Sequence, residues 1–201
     1  MRFQTYILVC LFSAILTAST ATEVRAEPPV GREYQIKAAF VHNFIKFVDW
    51  PKEKVADSNN LITIGIIGKD PFGQAFEPLK NKQANGKKVI IKRFISLKES
   101  KLSGDQVEAI RKCHLLYVCR SEKEQLKKII NSVKDYNVLI VGDMNNFLES
   151  GGIINFVIED KKVRFEINNI VAKQAKLDIR SKLLRLAKKV IGEETSDKKE
   201  N

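Results

Sequence analysis

The sequence is short of the residues that metal and redox sites are built from. Its 201 residues hold 2 His, 3 Cys and 1 Trp. Neither His42 nor His114 has a second His or a carboxylate at ligand spacing, which argues against a zinc or haem enzyme. No G-x-S-x-G segment and no paired-carboxylate motif occurs, so a hydrolase has no evident nucleophile–base pair. Long apolar runs are scarce as well. The one at Tyr6–Leu16 is half the length of about 20 residues that a spanning helix needs. Acidic residues are the minority, 24 against 35 Lys and Arg. That basic balance bears on partners and solubility, not on fold.

What is present is ordinary globular material, 44% hydrophobic and 29% charged, enough for one domain with its own core. Met1-Arg2, the apolar run and the small residues Thr17–Thr22 form a secretory signal pattern, with Val24-Arg25-Ala26 the preferred cleavage site. Cys10 lies inside the run with no lipobox before it, so no lipoprotein is expected. The organisation expected is a signal peptide over 1–26, one domain over 27–191 and a disordered polar tail over 192–201. Loss of Arg2, Arg25 and Glu23 leaves the mature chain one charge less positive than the formal +11. Export to the periplasm makes nucleic acid an unsuitable partner. It leaves acidic protein faces and, peripherally, membrane surfaces.

Hydrophobic periodicity predicts alternating helices and strands. Helices are expected over Glu33–Trp50, Phe72–Leu79, Ser103–Lys112 and Glu122–Val133, with a helical turn at Asn145–Leu148. Strands are expected over Leu61–Ile67, Val89–Ile95, His114–Val118 and Val138–Val141. Ile153–Ile158 and Val163–Ile167 flank Glu159-Asp160-Lys161-Lys162, a hairpin signature. A last helix is expected from Ser181, with Leu183, Leu186, Ala187 and Val190 on its buried face. The fold class is therefore α/β, a largely parallel sheet flanked by helices, with a C-terminal antiparallel hairpin and helix.

Each candidate for chemistry competes with a plainer reading. Gly65-Ile66-Ile67-Gly68-Lys69-Asp70 lacks phosphate-loop spacing and reads as a turn, though strand-end loops of α/β sheets often hold small ligands. Gly68, Asp70, Phe72 and Gly73, with Asp143 from the Gly142–Gly152 loop, form the candidate ligand loop. His42 and His114 read as hydrogen-bonded structural residues. Cys113 and His114 are neighbours on a strand and point to opposite faces. Cys113 and Cys119 sit about 20 Å apart along one strand, beyond the roughly 7 Å that a disulfide spans. The basic residues of Lys80–Arg93 and of Lys182–Lys189 read as solvated faces.

Seven segments, in order over residues 33–191, resemble the YfiR family of exported bacterial proteins. They are Tyr34–Phe40 with Phe44, Phe47, Trp50 and Pro51; Gly68–Gly73; Cys113–Val118 with Ser121-Glu122; Val138–Asp143 with Phe147; Gly151–Phe156; Arg164–Asn168; and Ser181–Ala187. The resemblance implies a periplasmic regulator without cofactors, not an enzyme. It represses an inner-membrane diguanylate cyclase, or a similar sensor such as a sensor kinase, through the partner's periplasmic domain. That lowers cyclic-di-GMP and biofilm formation. It also implies an α/β protein that forms a homodimer and can carry disulfides; Cys113 fits the family pattern. The docking surface expected on the wet face of the last hairpin and beyond comprises Arg164, Glu166, Asn168, Arg180 and Arg185, beside Ile170 and Leu177. The alternative is a periplasmic small-molecule-binding protein using the strand-end loops.

Overall fold

The computed structural model describes residues 31–56, 60–79, 82–97 and 103–192. The expected signal peptide and polar tail lie outside them. Helix α1 (Arg32–Phe47) opens the domain, followed by β1 (Val48–Asp49), α2 (Lys52–Ala56) and β2 (Leu61–Ile67). Then come β3 (Gln83–Ala84), β4 (Lys87–Phe94), α3 (Gly104–Arg111), β5 (Leu115–Val118), α4 (Leu126–Val133) and β6 (Leu139–Gly142). The C-terminal part holds β7 (Ile154–Glu159), β8 (Lys162–Asn168), α5 (Asn169–Gln174), β9 (Asp178–Ile179), α6 (Ser181–Leu184) and β10 (Lys189–Ile191).

One mixed sheet carries the fold, in the order β10-β8-β7-β6-β5-β2-β4-β3. Its centre, from β4 through β2, β5 and β6 to β7, is parallel, as continuous apolar runs such as Leu61–Ile67 require when both faces are covered. Side chains alternate between two cores. Ile62, Ile64, Ile66, Leu115, Tyr117, Leu139 and Val141 enter a larger cluster under α1, whose Ala38, Val41, Phe44 and Ile45 lie on it. Ile67, Leu116, Val118 and Ile140 enter a second cluster, sealed by Ile110 of α3 and by Leu126, Ile129, Ile130 and Val133 of α4. Phe147 roofs part of that second cluster. It sits so close to Gly142 and Gly152 that a Cβ at either position would collide with its ring.

The β7–β8 hairpin is antiparallel, with Phe156 opposite Phe165. Both residues of its loop, Asp160 and Lys161, have positive φ, which matches the right-handed strand twist. Ser103 caps α3 by accepting from the Gln106 N–H, as its position suggests.

Several expected boundaries move. The first helix stops at Phe47 instead of Trp50, because Val48 and Asp49 pair with Ile179 and Asp178 in a separate two-stranded ribbon. Phe72–Leu79 is not an α-helix. Gly73 turns with φ +48 and Pro78 follows, leaving turns and a single 3-10 turn at Glu77–Leu79. The stretch before α4 is also 3-10, from Arg120 to Gln125. The expected C-terminal helix shrinks to Ser181–Leu184, and the Ser181 side chain caps nothing. Beyond it the Lys188 N–H donates to the Phe165 carbonyl, and Lys189–Ile191 runs parallel to β8. An open strand edge thus takes Val190 for the sheet and leaves Leu186 59% exposed.

Candidate functional site

The chain leaves β2, builds β4 on one side, and returns to place β5 on the other side of β2. At such a reversal the loops after the two strands diverge and open a crevice beyond their C-terminal ends. Here that crevice is filled by the protein's own side chains.

At its centre lies Asp143, the first residue after β6, its side chain 1% exposed. Its Oδ2 accepts from Lys37 Nζ at 2.6 Å and from the Tyr34 hydroxyl at 3.2 Å, and stands 3.1 Å from the Arg120 guanidinium. Arg120 Nε also donates to the Asp143 carbonyl at 2.9 Å. Lys37, itself 1% exposed, reaches Glu33 one helical turn away at 2.5 Å. Two cations thus face two carboxylates: the buried Lys37–Asp143 pair is flanked by the more exposed Arg120 and Glu33, so the cluster is close to neutral, the condition under which burying such a pair is tolerable. Lys37 Nζ also lies 4.5 Å from the Tyr34 ring centroid. Phe72 packs edge-on against both Tyr34 and Tyr117, closing the apolar side.

Two oxygens of the cluster are left over: Asp143 Oδ1 and the Tyr117 hydroxyl are buried without a hydrogen-bond partner. Burial, reinforced by Asp143, pushes the Tyr34 phenol up to about 12 and raises Tyr117 further. Both stay protonated, and Tyr34 donates to Asp143 as a neutral phenol.

The loops beside this cluster are spent on internal bonds. Asp70 accepts from the Phe72 N–H at 2.7 Å and from Arg93 Nε at 2.7 Å, and Arg93 also donates to the Gly73 carbonyl. The Gly68 N–H donates to Phe94, and the Lys69 N–H to the Ser121 hydroxyl. Gly68 has φ +99, and a side chain there would strike Ser121 and Glu122. Fully buried Glu122 ties two loops together, accepting from the Ser96 and Ser121 hydroxyls and from the Leu97 N–H. Of the expected ligand-loop residues, Phe72 and Asp143 meet in the filled crevice; Gly68, Asp70 and Gly73 serve the turn.

The two thiols are free, buried and unreactive in character. Cys113 is pushed up to about 12 by burial, and Cys119 is raised as well, by burial and then by Asp70, Asp143 and Glu122. Burial, with Lys54 and Lys87, lowers His114 to about 4, so it is a neutral acceptor for the Thr63 N–H. The expectation that His42 is hydrogen-bonded is not met. It is buried in α1, and neither ring nitrogen has a partner. Among the described residues, no three His, Cys, Asp or Glu side chains gather as a metal set.

The five expected docking residues fall in different settings. Arg164 and Glu166 lie on the face of β8 opposite Phe165 and Ile167, with Lys189 of β10 in register with Glu166. Arg185 is exposed in the turn after α6. Arg180 is bound bidentately to Asp49 on the β1–β9 ribbon, at 2.8 and 2.6 Å. Asn168 is not a surface residue. It is buried, accepts from the Val171 N–H to cap α5, and donates to the Leu148 carbonyl. Leu177 is buried too, while Ile170 is half-exposed.

Sequence reasoning did not single out Lys37, Glu33, Arg120 or Tyr117 as a unit. One signal was there to read: Lys37 falls on the apolar stripe of α1 that holds Val41, Phe44 and Ile45. A lysine on such a stripe calls for a buried counter-charge.

The family model described as YfiR/HmsC-like matches residues 34–188, which takes in α1 from its third residue on, the whole sheet up to β10, and every member of the cluster but Glu33. The chain belongs to the YfiR/HmsC-like family. Proteins of this family are periplasmic and regulatory, not catalytic. No curated protein matches the sequence. Among solved structures, a conserved domain protein from Vibrio cholerae O1 biovar El Tor superposes with a TM-score of 0.55 at 12% identity, over 78% of this chain and 60% of that one. An ABC domain in complex with L-Trp from Streptococcus pneumoniae does so with a TM-score of 0.55 at 14% identity, over 79% and 60%. At such identities the likeness concerns the fold alone, and the YfiR/HmsC-like chain spans about 60% of the length of either structure. No helix among its described residues is long and apolar enough to cross a membrane.

Proposed function

We propose that this YfiR/HmsC-like protein is a periplasmic repressor. It binds the periplasmic domain of an inner-membrane diguanylate cyclase, favours its inactive conformation, and so lowers cyclic-di-GMP and biofilm formation. The observation that carries the reading is the family match across residues 34–188, essentially the entire described domain. Repression by contact needs only differential affinity for two states of the partner, and no chemistry of its own. The filled crevice supports the same reading. The position where an α/β sheet would hold a small ligand is occupied by Phe72, Tyr117, Lys37 and Asp143, each buried. That weighs against small-molecule binding there, although the Streptococcus pneumoniae domain of similar fold is in complex with L-Trp.

Deleting the gene tests the proposal. Cyclic-di-GMP and surface attachment are expected to rise, to return to wild-type levels with the full chain supplied in trans, and to stay high with a copy lacking residues 1–26. Unchanged cyclic-di-GMP in the deletion strain, with the host's membrane cyclases expressed, refutes it. The family resemblance also implies that the repressor acts as a homodimer, which sedimentation of the purified protein reports.

A further inference from the structure

Between α1 and the tip of the β7–β8 hairpin runs a groove of about 550 Å³. Its floor is apolar: Ile36 and Phe40 from α1, Ile158 from β7 and Val163 from β8. Ile36 is 38% exposed and Ile158 51%, so apolar surface faces water on both walls. The floor is stiff as well, since Phe40 packs on Phe156 and Phe165 beneath it.

The rim is almost wholly cationic. Arg32, Lys161, Lys162 and Arg164 line it, all exposed, and among the described residues none of their side chains is held in a hydrogen bond or a salt bridge, though Arg164 acts on Glu159 at longer range. The one acidic lining residue, Glu33, has its carboxylate engaged by Lys37. Glu159 nearby is held by Lys188 at 2.8 Å. The tight Asp160-Lys161 turn fixes the hairpin end that carries Lys161, so the rim is held in place before any partner arrives. An apolar strip walled by an excess of positive charge fits a partner of opposite pattern.

Resting on the repressor reading above, we propose that this groove is where the partner docks, and that its occupant is an acidic segment of the cyclase's periplasmic domain with apolar side chains at its centre. Carboxylates of that segment meet Arg32, Lys162 and Arg164, while its apolar residues cover Ile36 and Ile158. Docking centres on Arg164 and the hairpin tip, and Arg180 and Arg185, which do not line the groove, take no part.

The test uses the purified full mature chain and, as probes, the purified periplasmic domains of each membrane diguanylate cyclase of the host. Wild type is expected to bind one of them, more weakly as salt rises. The Lys162→Glu/Arg164→Glu variant is expected to bind at least about tenfold more weakly. Ile158→Ser should weaken binding without changing its salt dependence, and Arg185→Glu should bind as wild type. Thermal melts verify that all three variants are folded, as their exposed positions allow. If wild type binds a domain and the groove variants bind it equally well, the groove assignment is overturned and the repressor reading stands. If no domain binds wild type, the repressor reading falls and the groove proposal falls with it. If the groove variants lose binding to phosphatidylglycerol vesicles but not to the cyclase domain, the groove serves the membrane, and the proposal is wrong.

Discussion

Removing one partner of the Lys37–Asp143 pair should cost much more than removing both. The two side chains are each 1% exposed and meet at 2.6 Å, so either charge left alone would be stranded away from water. Breaking a buried pair typically costs about 3–5 kcal/mol. Lys37→Met belongs at the lower end, because Asp143 keeps the Arg120 guanidinium at 3.1 Å and the Tyr34 hydroxyl. Asp143→Leu belongs at the upper end, because Lys37, Tyr34 and Arg120 lose an acceptor together and only Glu33 remains for Lys37. For a domain of this size, losses of that order lower Tm by roughly 6–20 °C. The double variant Lys37→Met/Asp143→Leu replaces the pair by apolar groups of similar volume, which is often near neutral. Half-exposed Arg120 can turn to water. The double variant should therefore recover to within about 2 kcal/mol of wild type, with a coupling well above the few tenths expected of independent sites. Urea unfolding followed by circular dichroism on all four proteins measures this cycle. If the two single losses simply add in the double variant, the cluster is not an energetic unit and the reasoning fails.

Acid should destabilise the fold through His114. Its folded-state value of about 4 lies below the ordinary 6.5, so the unfolded chain takes up a proton that the folded chain refuses. The contribution is complete above pH 6.5 and is lost as pH falls toward 4, up to about 3 kcal/mol. His114→Gln should flatten that slope, and a pH series of denaturation midpoints that does not change would contradict it. Gly152→Ala should cost about 1–3 kcal/mol by forcing a methyl into the Phe147 ring. Gly104→Ala, with nothing within 4 Å, should be neutral or slightly stabilising, and thermal melts separate the two. Both thiols should resist a thiol reagent in the native protein and react once urea unfolds it. Fast native labelling of either would place it at the surface.

The parallel centre of the sheet was legible because strands buried on both faces spell themselves as apolar runs, as Leu61–Ile67 and Leu139–Val141 do. The hairpin was legible from its alternation and its turn. The short pieces were not. β1, β9 and β10 are two or three residues long, and pairing with chain far away in sequence decides them, not their own pattern. Val190 satisfied a helical spacing and still went to the edge of β8, because the open backbone of an edge strand outweighed one more turn of helix. At the site, Asp143 could be singled out by its place after a buried strand. Its partners Lys37 and Arg120 are 106 and 23 residues away in sequence. No local pattern announces a charge balance closed over such distances. Asn168 looked like one more outward residue of an alternating strand, yet the helix that begins directly after it claimed its side chain as a cap.

Residues 178–191 tie the two ends of the domain together. Asp178 and Ile179 clasp Asp49 and Val48 behind α1, the Arg180 N–H reaches the Phe47 carbonyl, and Lys189–Ile191 complete the sheet beside β8. A chain emerging from its N-terminus can form α1 and lay it on β2 and β5 early, but the ribbon behind α1 closes only when nearly the whole domain has followed. Folding then finishes at the tail, through contacts of long sequence separation that form slowly. For a polypeptide that crosses a membrane as an unfolded thread, such a late-closing latch is an advantage. A chain of that kind stays loose enough to be threaded until the segment that carries its last strand has come through.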